Sequence, residues 1–183
     1  MELPVMLKFH LPIMGFSAYS GTGKTTLLTK TIPLLTAKGY RIGIIKHAHH
    51  NIEIDKPGKD SYELRKAGAA QTIVSSRNRT AIIIEKPEAK DEPTLEEALE
   101  NLQTDHLDMV LVEGFKVAKF AKIELHREIL AKPYLYSDDK NIIAIATDHA
   151  IDQDCSIEKL DINQPQQIAD FIEQELLQRQ STT

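Results

Sequence analysis

The stretch from Ala18 to Thr26 reads AYSGTGKTT and has the residue types of a loop that binds phosphate groups. Glycines let backbone N–H groups turn towards an anion without a Cβ in the way. A lysine at this spacing reaches the β- and γ-phosphates of a nucleotide, and a following threonine hydroxyl ligates Mg²⁺. We therefore predict a nucleotide site, with Lys24 acting in catalysis, from Ser20, Gly21, Thr22, Gly23, Lys24, Thr25 and Thr26.

Ala18 stands where the usual pattern of such a loop has its first glycine. A small side chain suffices at the end of a strand if the backbone φ is negative there. The alternative is a glycine-rich turn that binds no ligand. Because a strand-like run, the loop and a helical pattern follow one another in the right order, we favour the nucleotide site.

A nucleotide site of this kind also needs a carboxylate on the Mg²⁺ side, at the end of a neighbouring strand. Asp108 and Glu113 flank the apolar run MVLV. Ligand sites of α/β proteins gather at the carboxyl ends of strands, which favours Glu113 as a catalytic and metal-side residue. Asp108, about 15 Å or more away at strand rise, is predicted to be a solvated strand start.

Three of the seven histidines, His47, His49 and His50, lie close together after the second strand-like run. They could bind Zn²⁺ or Ni²⁺, with Asp55 or Asp60 completing the site. The alternative, which we favour, is a polar loop that uses histidines as hydrogen-bond donors beside the phosphates. A loop in this place is where a segment sensing the γ-phosphate would lie.

Asp60 is a further candidate metal ligand, together with Thr25 and Glu113. The alternative for Asp60 is structural, because Glu63 follows three residues later and Gly68 can end a helix. This spacing is typical of an N-cap for the helix SYELRKAG.

The signature Asn-Lys-x-Asp, which usually reads guanine, is absent, and Thr147 and Asp148 stand at its place after a late apolar run. A carboxylate there can accept from guanine N1–H and N2–H₂, a pair of donors that adenine does not offer. Equally, Asp148 can cap the next turn. The sequence therefore favours GTP over ATP as the ligand but does not exclude ATP.

A cationic stretch follows Glu113, made of Lys116, Lys119, Lys122, His126 and Arg127. It could receive an anionic cofactor, a phosphate or an acidic partner. Alternating polarity in KIELHR is as compatible with a solvated strand face. The residues alone leave both interpretations open.

Short β-type runs alternate with helical patterns along the chain, which is typical of an α/β sheet. Thr94 and Glu97 predict a capping box for one helix. The helix that follows the phosphate loop contains Pro33 and ends at Gly39, and the last helix of the chain begins near Pro165. We predict one P-loop NTPase domain over residues 1–183, a mostly parallel sheet flanked by helices with an inserted β-hairpin. The strands are expected at 12–18, 41–47, 108–114, 121–127 and 141–148, and the hairpin at 71–85.

The composition excludes several classes of protein. The chain has 183 residues, a formal net charge of −5 and one cysteine, Cys155. We therefore expect no nucleic-acid binding, no disulfide framework and no Cys-x-x-Cys metal site. No apolar run approaches the length of a membrane span, and the first residues lack the features of a signal peptide. We expect a cytoplasmic protein without a membrane partner.

Five segments together resemble the family of molybdopterin-guanine dinucleotide biosynthesis adapter proteins, the MobB family. They are SGTGKTTL, IKHAHH, DKPGKDSYELRKAGA, LVEGFK and AKIELHR. The resemblance runs from about residue 13 to the last helix, and DKPGKDS and VEGFK are its specific part. It implies a P-loop NTPase fold that binds GTP with Mg²⁺ and hydrolyses GTP weakly.

The resemblance also implies an adapter to the molybdenum cofactor guanylyltransferase, the enzyme that attaches GMP to molybdopterin. It implies a homodimer in which extended β segments contribute to the subunit contact. The family's nucleotide residues correspond to Gly21–Thr26 and its acidic residue to Glu113. Two alternatives use the same loop: a metal-insertion GTPase with the histidines as ligands, and a small-molecule kinase. A kinase would need an arginine-bearing lid, for which Arg77 and Arg79 are the candidates.

Overall fold

The computed structural model describes residues 7, 9–48, 52–88, 91–151 and 155–180. The chain divides into two compact units, Met1–His47 with Thr94–Thr183, and Ala48–Pro93. The strands are β1 Ile13–Ala18, β2 Ile42–Lys46, β3 Gln71–Ser75, β4 Thr80–Ile84, β5 Met109–Glu113, β6 Lys122–His126, β7 Ile142–Thr147 and β8 Glu158–Asp161. The helices are α1 Lys24–Ala37, α2 Asp60–Lys66, α3 Leu95–Glu100 and α4 Pro165–Gln180, with a 3₁₀ turn at Glu128–Leu130.

The first unit is built on a six-stranded sheet in the order β2-β5-β1-β6-β7-β8, and every neighbouring pair is parallel. The predicted mostly parallel sheet is therefore confirmed. The sequence pattern missed β8, a four-residue edge strand with the polar sequence EKLD. A strand of four residues with one buried apolar side chain, Leu160, is too short to show a periodic signal.

The sheet is covered on both faces, which explains its nearly continuous apolar strands. Along β5, Met109 and Leu111 belong to the core that also contains residues of α1 and α4. The alternate residues Val110 and Val112 belong to a second core with Leu95 of α3. The predicted sheet flanked by helices is thus confirmed.

Local signals set the ends of several helices where we predicted them. Thr94 accepts from the backbone N–H of Glu97 and donates its own N–H to the Glu97 carboxylate, which completes the capping box. Gly39 follows α1 with a φ of 96°, in the left-handed region that glycine adopts at little cost. Helix α1 runs through Pro33 to Ala37.

The second unit contains helix α2 and the antiparallel hairpin β3–β4, which confirms the predicted hairpin. Arg65 of α2, only 8% exposed, pairs with Glu53 at 2.7 Å and Glu85 at 2.9 Å. The predicted N-cap was wrong, because Asp60 is the first residue of α2 and Lys59 occupies the cap position. The carboxylate of Glu63 instead accepts from the backbone N–H of Gly58 at 3.2 Å. Among the described helices, none is long and apolar enough to cross a membrane.

Candidate nucleotide-binding site

The glycine-rich loop lies between β1 and α1, at the carboxyl edge of the parallel sheet. Strand β1 stands inside the sheet, with β5 on one side and β6 on the other. After β1 the chain forms β2 and β5 on one side of that strand, and it then crosses over to form β6 on the other side. The direction in which strands are added therefore reverses at β1. In open α/β sheets, ligands bind at the carboxyl ends of strands at such a reversal.

Two glycines give the loop its shape. Gly21 has a φ of 83° and Gly23 a φ of 97°, both in the left-handed region. A Cβ built on either glycine would meet no atom within 4 Å, so backbone conformation rather than space requires glycine here. The buried Thr22 closes the turn between them, since its hydroxyl donates to the Tyr19 carbonyl at 2.8 Å.

Ala18 is a harmless departure from the usual pattern. It is the last residue of β1 and is 2% exposed. Among the described residues, the only ones other than glycine with a positive φ are Phe115 and Ala131. Ala18 therefore has the negative φ under which a small side chain suffices at this position.

The first turn of α1 is arranged to receive an anion. Its cap residue, Gly23, supplies no side-chain hydrogen bond, and the first turn contains no acidic residue. The early N–H groups of α1 and the positive end of its dipole are therefore left for a ligand. Thr25, the candidate Mg²⁺ ligand, is exposed in this turn, and Ser20 is exposed before it.

Lys24 opens α1, and its ammonium donates a long bond of 3.4 Å to the Ala18 carbonyl. Burial lowers the pKa of Lys24 from its ordinary value, and the charge of Glu113 opposes this shift. Lys116 and Lys46 act in the same direction as burial. The ammonium is partly desolvated and lies among other cations, so an anionic ligand would compensate its charge.

The two carboxylates that flank β5, Asp108 and Glu113, lie at opposite ends of the strand, as predicted. Glu113 ends β5 beside Phe16 of β1, at the loop's edge of the sheet, and its carboxylate lies 3.7 Å from the Lys46 ammonium. Asp108 precedes the strand and accepts from the Arg41 guanidinium at 2.9 and 3.0 Å. This bonding lowers the pKa of Asp108 to about 2. Asp108 is thus one member of an ion pair rather than a merely solvated strand start.

The residues after Glu113 pack closely on His47. Gly114 has a φ of 99°, and a Cβ there would lie 2.6 Å from the Cβ of His47. The His47 backbone N–H donates to the Glu113 carbonyl at 2.8 Å, and its ring stacks on Phe115 at 4.5 Å. Packing against β5 therefore accounts for the glycine of VEGF and for part of the environment of His47.

A cavity of about 410 Å³ adjoins the loop, within the size range of small-molecule sites. Gly21, Gly23 and Thr26 line it on one side, and Asn163, which follows β8, lines it on another. Arg127 also lines it and donates to the Thr22 carbonyl at 3.2 Å. The phosphate loop and the ends of the later strands therefore share one cavity.

Comparison with known proteins agrees with this arrangement. The family model described as "Molybdopterin guanine dinucleotide synthesis protein B" (MobB) matches residues 13–148. The chain belongs to the MobB family. It is 49% identical to the molybdopterin-guanine dinucleotide biosynthesis adapter protein of Escherichia coli K12, over 90% of this chain and 93% of that protein. The corresponding adapter protein of Haemophilus influenzae is 43% identical, with 92% of each chain covered.

Solved MobB structures share the fold. A crystal structure of molybdopterin-guanine biosynthesis protein B has a TM-score of 0.69 and 25% identity, covering 90% of this chain and 99% of its own. The crystal structure of Bacillus subtilis MobB has a TM-score of 0.70 and 24% identity, covering 91% of this chain and 98% of its own. The predicted family and P-loop NTPase fold are confirmed.

In this MobB chain, Thr147 ends β7, Asp148 follows it, and both side chains form hydrogen bonds within the protein. The Thr147 hydroxyl pairs with His149 Nδ1 at 2.8 Å. The Asp148 carboxylate accepts from Arg127 Nη1 at 3.0 Å and from the Glu128 backbone N–H at 3.1 Å. Asp148 therefore bonds to the start of the 3₁₀ turn at Glu128, which precedes it in the chain, and, among the described residues, not to the backbone of the turn that follows it. Its role towards guanine stays a prediction.

The interpretation of β6 as a solvated face is wrong. Lys122, Glu124 and His126 are 1%, 0% and 6% exposed, because β6 lies between β1 and β7 in a covered sheet. The Lys122 ammonium donates to Asp139 at 2.7 Å and to the Lys116 carbonyl at 2.9 Å. Lys122 thus serves the fold, not an external anion.

Other members of the cationic stretch do lie at the loop. The Lys116 ammonium lies 5.9 Å from the centre of the Tyr19 ring, and so does that of Lys132, which the sequence did not single out. Lys119 is exposed. One lysine of the predicted cationic stretch, Lys116, therefore lies near Tyr19, beside the phosphate loop.

The histidine hypothesis extends beyond the described residues, because His49 and His50 lie outside them. Among the residues that the structure describes, no group of three or more His, Cys, Asp or Glu side chains is placed to hold a metal ion. Asp55 and Asp60 belong to the second unit, and the metal role of Asp60 stays a prediction. Arg77 and Arg79 lie in the turn of the hairpin, also in that unit.

Sequence reasoning missed two parts of the site. Asn163 was not singled out, because it follows the unpredicted strand β8. Arg127 was named only as one cation of a stretch, whereas it joins the loop to the ends of β7 and β8. The one available signal for Arg127 was its place directly after a buried strand.

Proposed function

We propose that this MobB-family chain is a GTP-binding adapter protein of molybdopterin guanine dinucleotide biosynthesis that hydrolyses GTP only slowly. The observation that carries the proposal is the phosphate loop itself. Its two left-handed glycines, its uncapped helix start and the partly buried Lys24 lie at the strand-order reversal of a MobB fold. The relatives from E. coli and H. influenzae are named adapter proteins of this biosynthesis.

The residues present suit a nucleotide with Mg²⁺. Backbone N–H groups from Ser20 to Thr26 would surround the phosphates, and Lys24 would pair with their charge. The Thr25 hydroxyl and Glu113 would hold the metal and its water shell, and the metal role of Asp60 stays a prediction of the sequence. When bound, Mg²⁺ neutralises charge on the β- and γ-phosphates. Thr147 and Asp148 are proposed on the guanine side.

Slow hydrolysis follows from the absence, in the sequence, of a residue that stands out as a positioned water-activating group or an arginine finger. An adapter needs a partner, and we propose the molybdenum cofactor guanylyltransferase, with molybdopterin as a further ligand of the complex. A homodimer in the cytoplasm that binds neither nucleic acid nor membrane completes the proposal.

The test is affinity capture of the guanylyltransferase by the full chain, with and without a non-hydrolysable GTP analogue and Mg²⁺. Capture that depends on the analogue, together with turnover well below one per second, is expected. The Lys24→Ala chain should lose the dependence on the analogue. Turnover of many GTP per second without a partner would contradict the adapter function.

Glu113→Gln is expected to weaken Mg²⁺-dependent GTP binding by about 10-fold or more, because carboxylates around a metal typically contribute 10- to 100-fold to its affinity. Calorimetric titration of GTP with Mg²⁺ and with EDTA measures the effect. Asp108→Asn, just before the other end of the same strand, is the matched control and should leave binding unchanged. A larger loss in Asp108→Asn than in Glu113→Gln would show that the metal side is misassigned.

A further inference from the structure

We propose that the Asn163 carboxamide reads guanine as a hydrogen-bond donor beside the acceptor Asp148, and that Arg127 is the positioning residue for both. This inference rests on the proposed function, since it concerns the base of the same nucleotide. It adds a specificity residue that lies outside the phosphate-loop motif, and it assigns Arg127 a role.

The cavity beside the phosphate loop has the surfaces that a nucleoside needs. Leu27, Ile162 and Pro165 supply apolar surface for a flat ring. Thr26 and Lys30 supply polar groups along α1, on the side of the loop. A pocket with apolar walls and a few placed polar groups is typical of a small-molecule site. Since the cavity begins at Gly21 and Gly23, a base in it would be joined to phosphates in the loop.

Arg127 fixes the orientation of Asn163. Arg127 Nη2 donates to Asn163 Oδ1 at 3.3 Å. The guanidinium has donors only, so the amide oxygen must face it and the NH₂ group must face elsewhere. Among the described residues, none accepts a hydrogen bond from this NH₂ group. Asn163 lines the cavity, and it therefore offers a ligand a donor.

The same guanidinium holds Asp148. Arg127 Nη1 donates to Asp148 Oδ2 at 3.0 Å, so the carboxylate and the Asn163 amide lie on adjacent nitrogens of one planar group. Burial acts to raise the pKa of Asp148, but the bonds from Glu128, Arg127 and His149 together lower it. Asp148 therefore stays an acceptor at neutral pH, and a carboxylate has about four lone-pair sites for partners.

A donor next to an acceptor matches guanine and opposes adenine. Guanine has the O6 acceptor beside its N1–H and N2–H₂ donors, whereas adenine has the N6–H₂ donor at the place of O6. Adenine would leave the Asn163 NH₂ group facing another donor. Asn163 and Asp148 are exposed in the free chain, and a bound base would cover them, so a base that leaves either one unpaired is disfavoured.

Arg127 also connects the base side to the phosphate side. Its Nε donates to the Thr22 carbonyl at 3.2 Å, so a single side chain bonds to the loop, to Asp148 and to Asn163. Removing it should disturb base discrimination more than phosphate binding, because the loop keeps its own Tyr19–Thr22 bond and glycine conformations.

The experiment compares dissociation constants of GTP, ITP, XTP and ATP, with Mg²⁺, for the full chain and its variants. ITP keeps O6 and N1–H but lacks the 2-amino group, and XTP has an oxygen in place of that group. Asn163→Ala should weaken the binding of GTP and of ITP by the same factor, about 10-fold, because each loses one hydrogen bond. The affinity for ATP should stay nearly unchanged. The near-isosteric Asn163→Asp should lower the GTP/ATP preference further, because it places an acceptor against O6.

Asp148→Asn should weaken the binding of GTP and strengthen the binding of XTP, since an amide can donate a hydrogen bond to the 2-oxygen of xanthine. Arg127→Ala should reduce the GTP/ATP ratio at a nearly unchanged ATP affinity, and Arg127→Lys should restore part of that ratio. Gln164→Ala, next to Asn163 and bonded to Asp161, is the matched control and should behave as the wild type. Thermal unfolding confirms that each variant is folded.

The outcomes separate the two proposals. A wild-type chain that binds GTP with preference over ATP, and keeps that preference in both Asn163→Ala and Asn163→Asp, overturns the inference and leaves the proposed function intact. Equal binding of GTP and ATP by the wild type also overturns the inference alone. A wild type that binds no nucleoside triphosphate overturns both.

Discussion

Replacement of Lys24 by alanine is expected to weaken the binding of GTP with Mg²⁺ by about 100-fold, with the fold preserved. Charge-assisted hydrogen bonds contribute about 1.5–3 kcal/mol each, and Lys24 would make them to two phosphate groups. Within the described part of the chain, the ammonium forms one hydrogen bond, a weak one to the Ala18 carbonyl at 3.4 Å, so its loss should cost the folded chain little. Calorimetric titration with GTP and thermal unfolding measure the two effects.

The matched control for Lys24 is Lys119→Ala, which removes the same charge from an exposed position of the cationic stretch. It should bind GTP as the wild type does, apart from a small effect that high salt removes. If Lys24→Ala keeps wild-type affinity, the phosphates lie elsewhere. If both variants lose affinity equally, net charge rather than the loop geometry determines binding.

The parts of the fold that sequence predicted are those that local chemistry decides. Glycine adopts the left-handed backbone of a phosphate-binding loop at little cost, and both Gly21 and Gly23 have that backbone. Thr94 and Glu97 form their capping box within four residues. The apolar runs of β5 and β7 predict buried parallel strands because parallel sheets are covered on both faces. Each signal lies within a few residues of the structure that it specifies.

The parts that sequence could not supply depend on distant residues. Thr22, Arg127, Asp148 and Asn163 meet at one guanidinium although 141 positions separate the first from the last. Only the strand order, in which β6, β7 and β8 follow β1, brings their ends together. A pattern of period two cannot reveal that order, so the structure alone placed Arg127 and Asn163 beside the predicted loop residues in the cavity.

Strand β6 is a second example of a structure that depends on residues distant in the sequence. Alternating polar residues usually indicate a strand with one solvated face, yet Lys122 and Glu124 are fully buried. Their partners are elsewhere in the chain: Asp139 accepts from Lys122, and the backbone N–H groups of Leu135 and Tyr136 donate to Glu124. Buried charges need such partners, and sequence does not reveal which residues provide them.

Asp139→Ala is therefore expected to destabilise the chain by about 3 kcal/mol, because it leaves the Lys122 ammonium buried without its carboxylate. The remaining bond from Lys122 to the Lys116 carbonyl at 2.9 Å does not neutralise the charge. The double variant Lys122→Met with Asp139→Ala should recover most of the loss, since an apolar side chain of similar length needs no counter-charge. Asp138→Ala, an exposed neighbour, is the matched control for urea denaturation at neutral pH.

The pH dependence of this loss follows from the pKa of Asp139. Partial burial acts to raise that pKa, but bonds from Lys122 and Asn141 hold it below its ordinary value. A carboxyl with a lowered pKa in the folded state stabilises the fold above its unfolded pKa, about 3.9, and loses this contribution as pH falls through the folded value. The difference between wild type and Asp139→Ala should therefore shrink in urea denaturation at about pH 3. A difference that stays constant from pH 7 to pH 3 would show that Asp139 acts through its hydrogen bonds to Asn141 and not through its charge on Lys122.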